Sequence, residues 1–538
     1  MEWSNCMARD LGDFQTPDEL VAAVLRSLGP IGERWARVLE PTCGSGGFIR
    51  GLLESSSPPR EILGFELQAE HLDRARRLAA GSTRVCVRQA NIFQLDLRRD
   101  AHWSESGPLL VVGNPPWVTN AELGALGSGN LPHKSNLKGL PGLDAITGSA
   151  NFDIAEFIWL KLMLELADQQ PTIALLCKTS VARNVLQFAS DNQLPLTAAW
   201  IRRIDAKRHF NAAVDACLFY AEMREGESRY EAAVYSDLQA SEPETIIGVS
   251  GGRLVADLNA YRQVAFVEGN CPLNWRQGIK HDAAQVMELK KADQGWSNQL
   301  GERVEVEEEF VYPLIKGREL FLSEQPQPGR YVIVPQRRIG QDTRGLELVA
   351  PRLWNYLNRH AEIFLRRKSA IYRNQPPFAI FGIGDYSFAP LKIGVSGLHK
   401  EPRFRLASPA DEHSYSSSAR PAMLDDTCYF LPCFSLEQAA LLLALLNHRV
   451  TQSFIRSTMF LDAKRPITKK LLQRIDLIKL LQHIDREELL AAADRELARW
   501  HGNAALVPPG WPNDLSSLLS ERAGVKQSAG QMNLFAKV

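Results

Sequence analysis

The sequence has little cysteine, and what it has is scattered: eight residues, at positions 6, 43, 86, 177, 217, 271, 428 and 433, in a chain of 538. None form a C-x-x-C pair and no histidine cluster accompanies them. That argues against a zinc site or a disulfide framework, so no metal is expected and a reducing, cytoplasmic setting is. No apolar run is long enough to span a bilayer, and the opening MEWSNCMARD lacks the basic-then-apolar order of a secretory signal. Nor is there an excess of charge: 62 Lys and Arg balance 62 Asp and Glu. Taken alone, that balance speaks against a nucleic-acid binder.

The distribution of charge speaks differently. Residues 331–480 hold 22 Lys and Arg against 12 Asp and Glu, an excess of 10 that the rest of the chain must offset. A basic module beside an acidic one is what a polyanion-gripping domain next to an enzyme core would give. The length itself calls for two domains or more. Polar sequence near 225–230 and at SEPET (241–245) places a boundary at about 245, giving segments 1–245, 246–480 and 481–538, the last a helical stretch with a flexible tail.

The first segment alternates apolar runs with helical spacing. ARVLEP (36–41), EILGFEL (61–67), RVCVRQAN (84–91), PLLVVGN (108–114) and PTIALLCKTS (171–180) read as strands. QAEHLDRARRLAA (68–80) reads as a helix, and NFDIAEFIWLKLMLELAD (151–168) as a long amphipathic one capped by Asn151 or Asp153. Strand and helix in this rhythm predict an α/β fold with a doubly wound sheet and ligands at the carboxyl ends of its strands.

Those ends carry the unusual residues. After the first strand comes Glu40-Pro41-Thr42-Cys43-Gly44-Ser45-Gly46-Gly47-Phe48, a glycine-rich turn that lets backbone approach a ligand. Its spacing is not G-x-G-x-x-G and no P-loop lysine follows, which disfavours phosphate cradling. After the second comes Glu66, where doubly wound folds place an acid for a ribose diol. After the third come Asn91, Ile92 and Phe93, a polar edge beside apolar faces. A nucleoside without a pyrophosphate suits these three ends. After the fourth comes Asn114-Pro115-Pro116-Trp117. Proline cannot donate to a sheet ladder, so the strand must stop at a stiff corner carrying an amide, free carbonyls and an aromatic plane.

In this order, GDFQTP (12–17), VLEPTCGSGGF (38–48), FE (65–66), ANIF (90–93) and NPPW (114–117) resemble the motifs of γ-class DNA adenine-N6 methyltransferases. These are S-adenosyl-L-methionine enzymes of restriction–modification and phage-defence systems. KGLPGLDAITGSANFDIAEF (138–157) and LLNHRVTQSFIRSTMFLDAKRPITKKLLQRIDL (445–477) resemble stand-alone modification methylases as well. The resemblance implies a Rossmann-like methyltransferase domain followed by a mixed α+β target-recognition domain. It implies that Thr16 holds the methionine carboxylate of the cofactor, and that Glu40 with the amides around Cys43, Gly44 and Gly46 surrounds the methionine moiety. Glu66 would take both ribose hydroxyls. Asn91, where the family usually has Asp, would accept from the adenine amino group between the apolar Ile92 and Phe93. At the corner, the side-chain oxygen of Asn114 and the carbonyl of Pro115 would accept both protons of the target amine. Trp117 would stack on the flipped base, and Phe210 would form a second wall, with a core Phe before a strand as the alternative reading.

DNA contacts are expected elsewhere. The segment between Trp117 and residue 151, rich in Gly, Asn, Ser and Lys, reads as a lid with Lys134 and Lys138 near phosphates. Arg366, Arg367, Lys368 and Arg373 in FLRRKSAIYR, and Lys464, Arg465, Lys469 and Lys470 in DAKRPITKK, are candidates to neutralise phosphates. Double-stranded DNA is the expected partner, with a cognate restriction endonuclease or defence-complex subunits as further partners. The catalytic half alone would also suit a ribosomal-RNA or protein-glutamine N-methyltransferase, or a modification subunit active only in a multi-protein complex; the basic second half disfavours the first two. QMNLF (531–535), with Gln531, Met532, Leu534 and Phe535, resembles the short peptide by which bacterial proteins dock on the replication sliding clamp, with an apolar tail packed on its own domain as the alternative reading.

Overall fold

Glycines and prolines mark where the apolar runs of the first half begin and end, and the strands fall between them. In the computed structural model, which describes residues 15–118, 153–293, 295–408, 420–501 and 510–520, these strands assemble into one sheet. Lys134, Lys138, Asn151 and the terminal QMNLF lie outside the described residues. The chain divides into two compact units, Met1–Asn259 and Ala260–Val538.

In the first unit β1 (Arg37–Glu40) pairs in parallel with β2 (Glu61–Glu66) and with β4 (Leu109–Gly113). β2 continues in parallel to β3 (Val85–Gln89), and β4 to β5 (Thr172–Lys178). β7 (Ala216–Met223) then inserts antiparallel between β5 and β6 (Leu196–Ile204). Strand order reverses between β1 and β4, so the expected doubly wound sheet is present and its crevice opens at the carboxyl ends of these two strands. Helices α1 (Asp18–Leu28), α2 (Gly47–Leu53) and α3 (Ala69–Ala79) belong to this half of the unit.

Two expectations change. The helix expected over 151–168 is α4 (Ile154–Glu165), capped by Asp153, whose side chain accepts from Ala155 N at 3.0 Å. It is not amphipathic: every residue from Ile154 to Met163 is buried, Glu156 and Lys161 included. Lys161 is tolerated because its Nζ donates to Leu95 O and Glu165 Oε1. Second, the unit does not close at 245. β8 (Glu231–Tyr235), β9 (Thr245–Ser250) and β10 (Arg253–Val255) extend the sheet beyond β6, and the unit runs to Asn259. Gln187 of α5 (Thr179–Asp191) fixes the last hairpin by donating to Gly252 O and accepting from Leu254 N. α6 (Ala206–Phe210) joins β6 to β7.

The second unit is the expected mixture of short strands and helices. One sheet joins Arg276–Gln277, Cys428–Cys433, Leu391–Ser396 and Arg405–Ala407; another joins six strands between Glu288 and Leu424. The stretch expected to stand apart from 481 onward does not, as far as it is described. α7 (Leu436–Asn447) is almost wholly buried and packs along α8 (Arg486–His501). Gln438 of α7 donates to Leu518 O and Ser520 O, which ties the last described turn to the same core. Among the described residues no helix is long and apolar enough to cross a membrane.

Candidate active site

Four consecutive strand ends of the first unit meet around one cavity of about 610 Å³. Glu40 ends β1, Glu66 ends β2, Asn91 follows β3 and Asn114 follows β4, and all four line it. Thr16, Cys43, Gly44, Ile92 and Phe93 line it too, so the expected cofactor residues converge, with Gly46 one position removed in the same turn.

The turn after β1 needs its glycines. Gly44 and Gly46 have φ of +52° and +89°, in the region that side chains with a Cβ disfavour. A Cβ on Gly46 would lie 3.2 Å from Ala75 Cα, so this glycine also lets α3 approach. Gln15 closes the turn from outside by accepting from Ser45 N at 3.0 Å.

The two acids of the cavity are held differently. Glu66 accepts from Gly44 N at 2.8 Å and from Gln68 N at 2.7 Å, which fixes both its oxygens against the glycine turn. Glu40 is 2% exposed, and its Oε2 has no hydrogen-bond partner among the described residues. Burial pushes its pKa well above the usual carboxylate range, and the nearby Glu66 charge adds to the push. A buried acid with an unsatisfied oxygen on a cavity wall is a site for a ligand group that is cationic or donates a hydrogen bond. Asn91 accepts from Phe93 N at 3.1 Å, so its side-chain oxygen already serves the turn after β3. Phe93 packs edge-on to Phe157 of α4 at 5.5 Å.

At the corner after β4, Asn114 and Pro116 line the cavity and Pro115 is buried. Trp117 does not line it. The ring is 7% exposed, its Nε1 donates to Leu176 O at 3.2 Å, and it meets Phe210 edge-to-face at 5.1 Å between centroids. The structure therefore brings Trp117 and Phe210 together, but as a packed pair and not as two open faces for a base. The cause is tertiary: Trp117 leaves a fully buried strand, and its indole N–H finds its acceptor on β5, at Leu176.

A polar cluster behind the corner was not among the expected residues. Lys178, at the end of β5, pairs with Asp153 at 2.8 Å. Ile154 N donates to Val118 O at 2.9 Å, and Asn184 of α5 donates to Glu156 at 2.8 Å. These bonds pin the first turn of α4, whose Ile154 and Ile158 line the cavity with Val118. The signal in the sequence was a lone charge inside each of two otherwise apolar runs, IAEFIWL and TIALLCK.

The basic residues of the second unit divide into two kinds. Arg367 is a strut: it donates to Ala379 O at 2.7 Å, His281 O at 3.3 Å and Phe364 O at 3.0 Å, with its guanidinium 3.7 Å from the Tyr372 ring centre. Arg465 pairs with Asp426 at 3.0 Å and also donates to its carbonyl. Each is thus engaged by acceptors of its own unit. Arg366 is exposed and pairs with Glu362 at 3.0 Å, while Lys368, Arg373, Lys464, Lys469 and Lys470 are exposed.

Comparison with known proteins agrees with this geometry. No protein-family model matches the chain. The chain is 37% identical over 476 residues to the type II methyltransferase M.NspV of Nostoc sp. (strain ATCC 29411 / PCC 7524), across 87% of this chain and 96% of that protein. Among solved structures, the type IIL restriction–modification enzyme MmeI, in complex with DNA, shares the fold with a TM-score of 0.50 at 13% identity, over 95% of this chain and 75% of that one.

Glu156 gives the cluster a pH dependence. Burial pushes its pKa up to about 7, the hydrogen bond from Asn184 opposes the shift, and the Asp153 charge adds to it. The unfolded chain releases this proton near 4.5, so the folded state binds the extra proton between 4.5 and about 7 and loses stability as pH rises through that window. Glu156→Gln is expected to leave stability unchanged in acid and to raise it by about 2–3 kcal/mol at about pH 8. Denaturant midpoints of both proteins at the two pH values check this; no gain at the higher pH would mean that the ionised carboxylate is already compensated.

Proposed function

The chain belongs to the type II methyltransferases of restriction–modification systems, and on that premise we propose that it methylates the N6 amino group of an adenine turned out of double-stranded DNA. S-adenosylmethionine is the cofactor of these enzymes and supplies, when bound, a methyl group on a positively charged sulfur. The single observation that carries the reading is the Asn114-Pro115-Pro116 corner, whose Asn114 and Pro116 line the same cavity as Glu40 and Glu66.

The residues fit that cofactor. The unsatisfied Oε2 of Glu40 suits its cationic methionine end, and a positive charge there would hold Glu40 ionised against the cost of burial. Glu66, anchored by two backbone amides, keeps lone pairs for the two hydroxyls of a ribose. Ile92 and Phe93 offer apolar surface for a purine beside the Asn91 amide, and Thr16 lines the methionine end with the glycine turn.

The chemistry required at the corner follows from the amine. Its lone pair is spread into the ring and is a poor nucleophile. Asn114 Oδ1 and the Pro115 carbonyl each accept one of its N–H bonds, which draws the lone pair back onto nitrogen and fixes its direction. Two prolines hold the acceptors at a constant spacing without main-chain donors of their own. Neither acceptor is a strong base, so the proton shed by the alkylated nitrogen passes to solvent. Trp117 and Phe210 act as a brace behind the acceptors. The base must leave the duplex first, because within the stack its amino group is engaged by its pairing partner. Adenine is favoured over cytosine because Asn leads the corner.

Two variants test separate parts. Asn114→Ala is expected to cut methyl transfer by about 5- to 150-fold, the cost of one lost buried acceptor, with cofactor affinity unchanged. The measurement is transfer from labelled S-adenosylmethionine to mixed plasmid DNA, followed by nucleoside analysis. Methylcytosine, or transfer only to RNA or protein, would sink the adenine reading. Glu40→Gln is expected to weaken cofactor binding by about tenfold or more, read by calorimetry without DNA. Unchanged affinity would remove Glu40 from the cofactor site.

A further inference from the structure

VPQRRIGQDT, residues 334–343, forms a loop in the second unit that is exposed and yet rigidly built. Its two ends, Gln336 and Thr343, are buried, and every residue from Arg337 to Asp342 between them is exposed. Gln336 clamps the base of the loop: its side chain donates to Arg338 O at 2.8 Å and to Ile380 O at 3.3 Å, and accepts from Ile380 N at 3.1 Å. Gln341 clamps the other limb by accepting from Arg337 N at 2.8 Å and Arg338 N at 3.3 Å. Gly340, with φ of +76° and nothing within 4 Å of its missing Cβ, makes the bend. Arg337 is a strut, its guanidinium 4.0 Å above Phe388.

What this scaffold presents is Arg338 and Ile339. Ile339 is 54% exposed, an apolar side chain held out in water by a loop whose own bonds keep it there. Arg338 lies 3.8 Å from Asp385, with side chains 76% and 81% exposed, a distance too long for a hydrogen bond and open to insertion of another group. A phosphate at this point would meet the Asp385 carboxylate and be repelled. A base pair would not. In the major groove guanine shows two acceptors, O6 and N7, and its partner cytosine shows an amino donor beside them. A guanidinium with a carboxylate alongside is the complement of that pattern.

We propose that Arg338 and Asp385 together read one G·C pair of the recognition sequence, with Ile339 against the neighbouring base step. Arg338 donates to guanine O6 and N7, and Asp385 accepts from cytosine N4. Ile339 packs on a thymine methyl or wedges at the adjoining step. This rests on the proposed action on DNA and goes beyond it by naming residues that set specificity. The loop lies in the basic stretch 331–480, but its reading groups are a matched pair of opposite charges and not the excess of positive charge.

The test maps every methylated position in a random-sequence plasmid library treated with the full-length protein, as wild type, Arg338→Ala and Asp385→Asn. Salt dependence and thermal midpoint are measured beside it. Arg338→Ala is expected to lower methylation of the preferred site by about 5- to 150-fold, to relax selection at one G·C position only, and to leave the salt slope unchanged. Asp385→Asn is expected to relax the same position. A uniform loss over all sequences, with the salt slope reduced by about one, would make Arg338 a phosphate contact and overturn base reading. An unchanged site preference in Arg338→Ala would overturn it as well. If the wild type methylates no DNA, the proposed function falls and this inference falls with it; if only the variants are silent, this inference falls alone.

Discussion

The indole N–H of Trp117 donates to the carbonyl of Leu176, and through that bond the chain leaving β4 is tied to β5 before it can wander into solvent. The prolines before it forbid any continuation of the ladder. The corner is thus fixed from two sides: its own stiffness sets its shape, and the indole sets its place. Behind it, Lys178 and Asp153 lock the point where the described chain resumes, and Ile154 N reaches Val118 O. On the proposed reading, the acceptors at Asn114 and Pro115 stand on this framework. A site that works by aligning two weak acceptors needs such rigidity more than it needs a strong acid or base, since small misplacements cost alignment directly.

The electrostatics of the cavity follow the same economy. Glu66 is spent on backbone amides and is held as a fixed acceptor, whereas Glu40 has been buried with one oxygen unsatisfied. Without a counter-charge that arrangement is unfavourable, and burial raises the pKa accordingly. A cationic ligand converts the penalty into affinity. On the proposed reading, the stability lost to Glu40 and the selectivity for a positively charged cofactor are one feature seen twice.

How much of this was legible in the sequence depended on whether the physics was local. The glycine turn, the strand-end acids and the proline corner were readable because each is written in adjacent residues whose backbone preferences leave few options. The doubly wound sheet followed from the alternation of strands and helices, but the order of its strands did not. The burial of Trp117 was not readable, since it depends on Leu176, 59 residues away. Arg367 and Arg465 read as candidates to neutralise phosphates because the acceptors that engage them, Ala379 and His281 for one and Asp426 for the other, lie far along the chain. The boundary near 245 was misjudged because SEPET is polar, yet it is only the lead-in to two more edge strands. Glu156 and Lys178 were visible as single charges in greasy runs, a pattern that marks burial without saying what the charge does.

The same distinction governs recognition. Charge excess over 331–480 is a property of composition and promises only attraction to a polyanion, which falls with salt and carries no sequence information. Selectivity needs groups whose positions are determined before the ligand arrives, because an arginine free to follow a phosphate can equally follow any base. Arg367 has its position fixed by its own side-chain donors, which go to main-chain carbonyls. Arg338 escapes that trade: its backbone is held by Gln336 and Gln341, while its guanidinium keeps only a long, exposed approach to Asp385. Order supplied through the main chain leaves the side chain's hydrogen bonds available, and that separation is what a reading residue requires.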